Sequence, residues 1–540
     1  MTTLQVRSEI VLLSKTFELR MNKLAAASPS NILWGGLIGI EKESLRVQLD
    51  GYLSDRPHPE SLGSALTNRF ITTDFSEALL EFITPSFSNT WEALRFLCDI
   101  HQFSYDAMGD ELLWATSMPC RIPEDREIPL AYYGESNVGR MKTIYRNGLG
   151  YRYGRTMQTI AGVHFNYSLP TTFWPIYKEL EQNRSAEDEF RSDAYFGLIR
   201  NFRRFGWLVL YLFGASPAVC KSFGAGAGPE MESLNDETLY EPFGTSLRMS
   251  DLGYSSKTQA GLDISLNNLG DYISDLNTAM MTPEPLYQAI GLKEDGEYKQ
   301  LSMNQLQIEN EYYSPIRPKR VAFSGERPTA ALTRGGIEYV EIRSLDINIF
   351  DPVGINQNVM RFMEAFLIYC LLKESPPFGK KSKDETLQNH VATAKRGRDP
   401  AIELLRNGKG VSLFDWAVEI LRDVRSVAEL IDKADEHGVY VNAVDAQLQL
   451  VSDSELTPSA RLIAELRDAD TSFFEFAMTC AQGHKQYFAD LVPLPEERQE
   501  EFAGEAADSI RRQREIEASD AVSLEEYLER WFAPDQGIVR

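Results

Sequence analysis

Residues 38–47 read IGIEKESLRV, and the way this stretch is laid out decides the fold. If it is a strand, Glu41 and Glu43 share one face, because successive side chains of a strand alternate sides. Two carboxylates so spaced sit about 6–7 Å apart and repel by roughly 2–3 kcal/mol at an effective dielectric of 20, and by less than about 1 kcal/mol in open water. A solvated sheet face tolerates that repulsion, whereas a face lining a cleft calls for a cation.

Three further runs carry the same signature. In Val163 to Leu169 (VHFNYSL), His164, Asn166 and Ser168 alternate with Val163, Phe165, Tyr167 and Leu169. In Tyr339 to Ser344 (YVEIRS), Glu341 and Arg343 oppose Val340 and Ile342, and in Ala78 to Thr84 (ALLEFIT) a single Glu81 interrupts an apolar run. Thr72-Thr73-Asp74-Phe75, just before it, resembles a turn. Five carboxylates and one imidazole could therefore gather on one side of an antiparallel sheet. Oxygen donors with a single imidazole suit Mg²⁺ or Mn²⁺ better than zinc. His164 alone would read as a satisfied core histidine, and Arg343 alone as half of a salt bridge; beside Glu341 it could instead reach the oxygens of a metal-held phosphoryl group.

Helical periodicity marks Ala194 to Phe213, Asn356 to Leu372 and Leu413 to Ala434. Ser375-Pro-Pro-Phe-Gly-Lys-Lys-Ser-Lys383 breaks the pattern. A mixed α+β body over 1–375 and a mostly helical region over 376–540, packed on the same body, are expected, although the break would also suit a surface loop.

The 540 residues are ordinary globular material, with 43% apolar and 11% aromatic side chains. A net charge of −24 argues against a nucleic-acid or anionic-membrane partner, since phosphate surfaces are met by clustered Lys and Arg. Residues 401–540, with 29 acidic and 14 basic side chains, carry most of the excess, which reads as solvated helix faces. Five scattered cysteines without a CxxC pair predict neither a disulfide framework nor a zinc ribbon, hence a reducing compartment. No signal-peptide pattern or membrane-length apolar run is seen, so a cytoplasmic protein is expected. Gly224-Ala-Gly-Ala-Gly-Pro229 misses the dinucleotide glycine spacing, and no P-loop motif occurs. ATP, if bound, would sit on a metal-lined sheet. Arginines and tyrosines at Tyr145-Arg146, Arg248, Tyr254 and Tyr313 suit a small amino-acid ligand, with the guanidinium taking a carboxylate and the rings, with Phe75, walling a small side chain.

IGIEKESLRV, HPESLGSALTNRFITTDFSEALLEFITP, QTIAGVHFNYSLP, YLFGASPAVC, TSLRMSDLGY, QIENEYYSPIRPKR and GGIEYVEIRSLDIN resemble, in order and spacing, the proteobacterial type of the glutamate–cysteine ligase family. The likeness runs from about residue 35 to residue 372. Lys42 stands where arginine is expected, and Tyr312 where leucine is. The resemblance implies ATP-dependent ligation of the L-glutamate γ-carboxylate to the L-cysteine amine through a γ-glutamyl phosphate, the first step of glutathione biosynthesis. It also implies a curved antiparallel sheet of the glutamine synthetase-like kind, with surrounding helices. Glu43, Asp74 and Glu81 would hold one Mg²⁺, and Glu41, His164 and Glu341 another, with a third ion allowed. Arg343 would contact the ATP γ-phosphate and Arg248 the glutamate α-carboxylate. Tyr145, Leu149, Phe75, Tyr254 and Tyr313 would form the cysteine pocket, Arg146 a weaker contact, and Asp74 could accept the amine proton. A monomer without a fused glutathione-forming domain is expected. A ligase of different substrate, a guanidino-type kinase and a non-catalytic metal-binding protein remain the competing readings.

Overall fold

The computed structural model describes residues 15–27, 31–224, 231–253, 259, 261–323, 325–434 and 437–533. Tyr254 and most of the Gly224–Pro229 stretch lie outside the described residues. The framework is a seven-stranded antiparallel sheet not closed into a barrel, so the α+β expectation holds. Its strands are β1 (Leu37–Val47), β2 (Ile71–Thr73), β3 (Leu79–Ile83), β4 (Leu112–Leu113), β5 (Val163–Ser168), β6 (Ile316–Lys319) and β7 (Tyr339–Leu345), in the order β6-β7-β5-β1-β3-β2 with β4 on β1. All four strand-like runs form strands here. β6 was hidden by Pro318: proline donates no ladder hydrogen bond and is confined to edges, and β6 is an edge.

Register explains which side chains meet. Residues directly opposite in an antiparallel pair share a face. Glu41 lies opposite His164, Glu43 opposite Glu81, and Asn166 opposite Glu341, which in turn faces Arg317. The expected turn begins two residues later than its motif, because Thr72 and Thr73 pair with Glu81 and Leu80.

Apolar side chains on the other parity bury against helices. Helix α1 (Thr90–Met108) packs on β1, and Phe82 lies 4.6 Å from the ring of its His101. The next helices used below are α2 (Asn137–Tyr153), α3 (Glu187–Phe205) and α4 (Gln357–Leu372). Asn89, Ser136 and Asn356 cap α1, α2 and α4, each side chain accepting a backbone N–H of the first turn. The periodic run 194–213 is two helices, since it breaks at Gly206 into the end of α3 and a short helix, Trp207–Phe213.

The region beyond residue 375 is mostly helical: α5 (Lys380–Arg396), α6 (Leu413–Ile431), α7 (Val439–Ser452), α8 (Pro458–Asp468), α9 (Phe473–Asp490), α10 (Glu496–Ser519) and α11 (Leu524–Phe532), with a hairpin at 403–412. One continuous buried apolar cluster runs from Phe17 to Phe502 and so spans both regions. Cys120 and Cys220 are disulfide-bonded, with Cα atoms 5.6 Å apart, which corrects the expectation of no disulfide. Their separation of 100 residues leaves no local spacing to read. Cys98, Cys370 and Cys480 are free.

Candidate active site

A cavity of about 1330 Å³ opens on the polar face of the sheet. Glu41, Asp74, Phe75, Glu81, Tyr145, Arg146, Leu149, His164, Tyr313, Glu341 and Arg343 line it, eleven of the residues singled out from sequence. Glu43 and Arg248 are not on its wall. Glu43 is buried just beneath, accepting a hydrogen bond from the Gly162 backbone N–H at 2.7 Å, with His164 Nε2 3.5 Å from its other oxygen. Arg248 is buried beside β7, donating to the Arg343 carbonyl at 2.8 Å and lying 3.6 Å from Asp346.

The ligating atoms of Glu41, Glu81 and His164 all lie within 4.8 Å of one another, the one such group among the described residues. It draws members from both of the expected ion sites. His164 Nδ1 is 3.1 Å from Glu41 Oε2, and Asn166 donates to the other Glu41 oxygen at 2.8 Å. Burial is the largest influence on the Glu41 carboxyl and raises it, but the His164 hydrogen bond together with the charges of His164 and Lys319 leaves the net shift downward. Glu81 moves the other way: burial, then Glu41, Asp74 and Glu43, push its carboxyl well above the ordinary range. Three acids thus crowd one buried carboxylate, a donor set that a hard divalent cation fits. Glu341 Oε2, buried without a hydrogen bond, is a further open oxygen.

Glu341 itself sits among cations. Burial opposes its ionisation, yet Lys319, Arg343 and Arg317 hold it well below the usual carboxylate range. Lys319 is 3.5 Å and Arg343 3.3 Å from its Oε1, and Arg317 is 4.0 Å from Oε2. Arginine and lysine on adjacent strands around one acid make a phosphate-sized cationic rim.

The second wall is helix α2. Arg146 donates to the Asp74 carbonyl and lies over the Tyr133 ring at 4.5 Å, while Tyr133 donates to the same carbonyl at 2.9 Å. The bend carrying Asp74 and Phe75 is therefore fixed through its backbone, leaving the Asp74 carboxylate, 3.9 Å from Arg146, half exposed to the cavity. Tyr313 is held by its own N–H, which donates to Gln259 at 2.8 Å; Gln259 in turn donates to the Glu311 carbonyl at 2.7 Å. Glu311 pairs with Arg152 of α2 at 2.8 Å, fully buried, so α2 and the 308–313 segment form one block.

Sequence reasoning missed Lys142, Arg317, Lys319 and Trp531, all on the cavity wall. Lys142 is one helical turn before Arg146 and was legible from that spacing; burial and Arg146 lower its ammonium to about 8. Arg317 and Lys319 alternate on β6, so recognising that strand would have found them.

The chain matches the family model described as glutamate–cysteine ligase over residues 21–393. It is 48% identical over 508 residues to a glutamate–cysteine ligase of Pseudomonas putida, covering 94% of this chain and 96% of that one. Identity to the Alcanivorax borkumensis glutamate–cysteine ligase is also 48%, over 523 residues, covering 96% and 99%. A crystal structure of the Francisella tularensis glutamate–cysteine ligase in complex with AMP superposes with a TM-score of 0.87 at 38% identity, over 92% of this chain and 98% of that one. A bifunctional glutathione synthetase from Pasteurella multocida shares the fold, with a TM-score of 0.68 at 23% identity, over 88% of this chain and 55% of that one.

Proposed function

This chain belongs to the glutamate–cysteine ligase family, and we infer that it joins the γ-carboxylate of L-glutamate to the amine of L-cysteine with ATP, forming the dipeptide that starts glutathione biosynthesis. The observation that carries the reading is the meeting, in one cavity, of the Glu41–Glu81–His164 group with the Arg343–Lys319–Arg317 rim.

An ionised carboxylate is a poor acyl donor, so the γ-carboxylate first attacks the ATP γ-phosphorus and ADP leaves. Attack of the cysteine amine on the resulting acyl phosphate then expels phosphate. Arg343, with Lys319 and Arg317 beside it, neutralises charge on the transferring phosphoryl group. Mg²⁺, for which Mn²⁺ could substitute, would be held by Glu41, Glu81 and His164, with Glu43, Asp74 and Glu341 completing two or three ion sites, and would screen the phosphate oxygens. Asp74, half exposed and backbone-fixed, accepts the proton of the attacking amine. Phe75, Tyr145, Leu149 and Tyr313 surround the cysteine side chain, with Arg146 at the edge. Arg248 takes the glutamate α-carboxylate by exchanging its Asp346 partner for the substrate. Among the described residues no helix is long and apolar enough to cross a membrane, and we place the reaction in the cytoplasm, in a monomer.

A coupled ADP-release assay with glutamate, cysteine and Mg²⁺ tests this. Turnover should appear and fall roughly 10²- to 10³-fold in Arg343→Ala, the scale for losing one transition-state charge contact. No turnover above that control would overturn the reading. Activity that prefers serine or another amine over both cysteine and 2-aminobutyrate would retain the ligase and discard the thiol pocket.

A further inference from the structure

The acidic C-terminal region has no role in the chemistry above, yet its last two helices bind the elements that present the acceptor wall. Helix α10 grips the stretch before β2. Ser64 N–H donates to Ser509 at 2.9 Å, Arg69 N–H and Nε each donate to Glu505 at 2.9 Å, and Arg512 donates to the Thr67 carbonyl at 2.9 Å. Gly63 and Gly134, both at positive φ, leave room that α10 side chains fill: a Cβ at Gly63 would meet Ser509 Oγ at 2.3 Å, and one at Gly134 would meet Gln513 Nε2 at 2.1 Å. The start of α2 is pinned by the junction between the two helices. Asn137 N–H donates to Asp520 at 2.5 Å and its side chain to the Val522 carbonyl at 3.0 Å.

Helix α11 then lies along α2. Leu524 and Leu528 form, with Met141 and Leu301, a satellite apolar cluster separate from the main core, against which Ile144, Tyr145, Ile308 and Trp531 pack. Trp531 continues past that cluster to the cavity, where it shares the wall with Met141, Lys142, Tyr145 and Ile308. Tyr145 and Trp531 thus pack on the same apolar cluster and both face the cavity. An indole is a large, rigid surface, and fixing a neighbouring aromatic wall is a use its area and few torsions suit.

We propose that Trp531 of helix α11 is a positioning residue for the acceptor amino acid: it holds Tyr145 and the cavity-facing side of α2 in place, so that the C-terminal helix sets affinity for the amine substrate. The proposal rests on the assignment of the Tyr145 wall to that substrate. It assigns α11 no contact with ATP or the glutamate γ-carboxylate.

The test is steady-state kinetics of the full chain with each substrate varied in turn. In Trp531→Ala the KM for cysteine should rise about 10-fold, the consequence of losing part of a packed wall, while KM for ATP and glutamate stays within about twofold. Trp531→Phe should restore most of the cysteine affinity. Unchanged cysteine KM, or a parallel rise of all three KM values with a lower melting temperature, overturns the proposal. A milder variant covers the case in which Trp531→Ala does not fold. Lys293 and Glu525 form a surface pair at 3.0 Å that fastens α11. Glu525→Lys should raise cysteine KM about two- to fivefold, the scale of a surface ion pair and its reversal, and the double exchange with Lys293→Glu should reverse it. No selective change in either variant overturns the proposal. A wild-type enzyme inactive with cysteine would instead refute the substrate assignment, which the same assay reports separately.

Discussion

The two faces of β1 are one residue apart and treat charge in opposite ways. On the cavity side Glu41 and Glu43 join Glu81 and Glu341 around His164, and burial leaves Glu81 facing three like charges. On the back, the ionisable groups meet polar partners within the fold. Lys42 Nζ lies 2.8 Å from His101 Nε2, Arg46 pairs with Glu111 at 2.9 Å, and Glu364 of α4 accepts hydrogen bonds from Tyr440 at 2.7 Å and Tyr167 at 3.4 Å. Both faces bury ionisable groups. The back partners them within the fold, while the front crowds Glu41, Glu43 and Asp74 around Glu81, a cluster that a bound cation would balance. Stability is concentrated on one side and ligand demand on the other, so substitutions on the two sides should separate activity from stability.

Glu81→Gln gives the largest separation. Removing one oxygen ligand should raise the Mg²⁺ concentration for half-maximal rate roughly 10- to 100-fold, the range for damaging a metal site. Because burial and its neighbours disfavour the Glu81 carboxylate, the neutral variant should melt higher than wild type in metal-free buffer, and Mg²⁺ should narrow the gap by stabilising wild type more. Titration of rate and melting temperature with Mg²⁺ checks both. Equal Mg²⁺ dependence in the two proteins would remove Glu81 from the ligand set.

Lys42→Met probes the other face. Burial lowers the Lys42 ammonium to about 7 from its ordinary 10.5. An unfolded lysine holds its proton up to about pH 10.5, so stability rises with pH between about 7 and 10.5 and is lowest below 7. Methionine removes that cost, and the variant should gain melting temperature relative to wild type, most of all below pH 7, with its Mg²⁺ requirement unaltered. A shifted Mg²⁺ requirement would mean that the two faces are not independent.

Most of the front face could be read from the chain because strand alternation is a period of two, and Glu41, His164, Glu341 and Arg343 each stand on a two-faced run. What escaped was set by partners distant in sequence. Arg248 reads as an arginine for a ligand carboxylate, yet a buried aspartate distant in sequence, Asp346, lies 3.6 Å from it. Pro318 masked β6, and with it Arg317 and Lys319. Trp531 reaches the cavity through a helix packed on α2 nearly 400 residues earlier, and Cys120 meets Cys220 across a separation that no motif encodes. The back-face pairs were equally silent: nothing around Glu364 in a helical, apolar run announces two tyrosine hydroxyls.

Glu364 makes the smallest and most specific prediction. Burial raises its carboxyl to about 7, against the hydrogen bonds from Tyr440 and Tyr167, which favour the ionised form. A carboxyl whose folded pKa is raised binds its proton more tightly when folded, so stability falls as pH rises from about 4.5 to about 7 and is level above that. The loss is about 3 kcal/mol at 1.36 kcal/mol per pKa unit. This limb descends where the Lys42 limb has not yet begun to climb, so the two groups together place a stability minimum near neutrality. Glu364→Gln keeps a neutral partner for Tyr440 and should abolish the descending limb, melting like wild type at pH 4.5 and higher at pH 8. Turnover should stay within about twofold, since Glu364 lies behind the sheet and not on the cavity wall. Parallel melting curves for the two proteins across pH 4.5–8 would show that Glu364 titrates alike in the folded and unfolded chain, its hydrogen bonds from Tyr440 and Tyr167 fully offsetting the cost of burial.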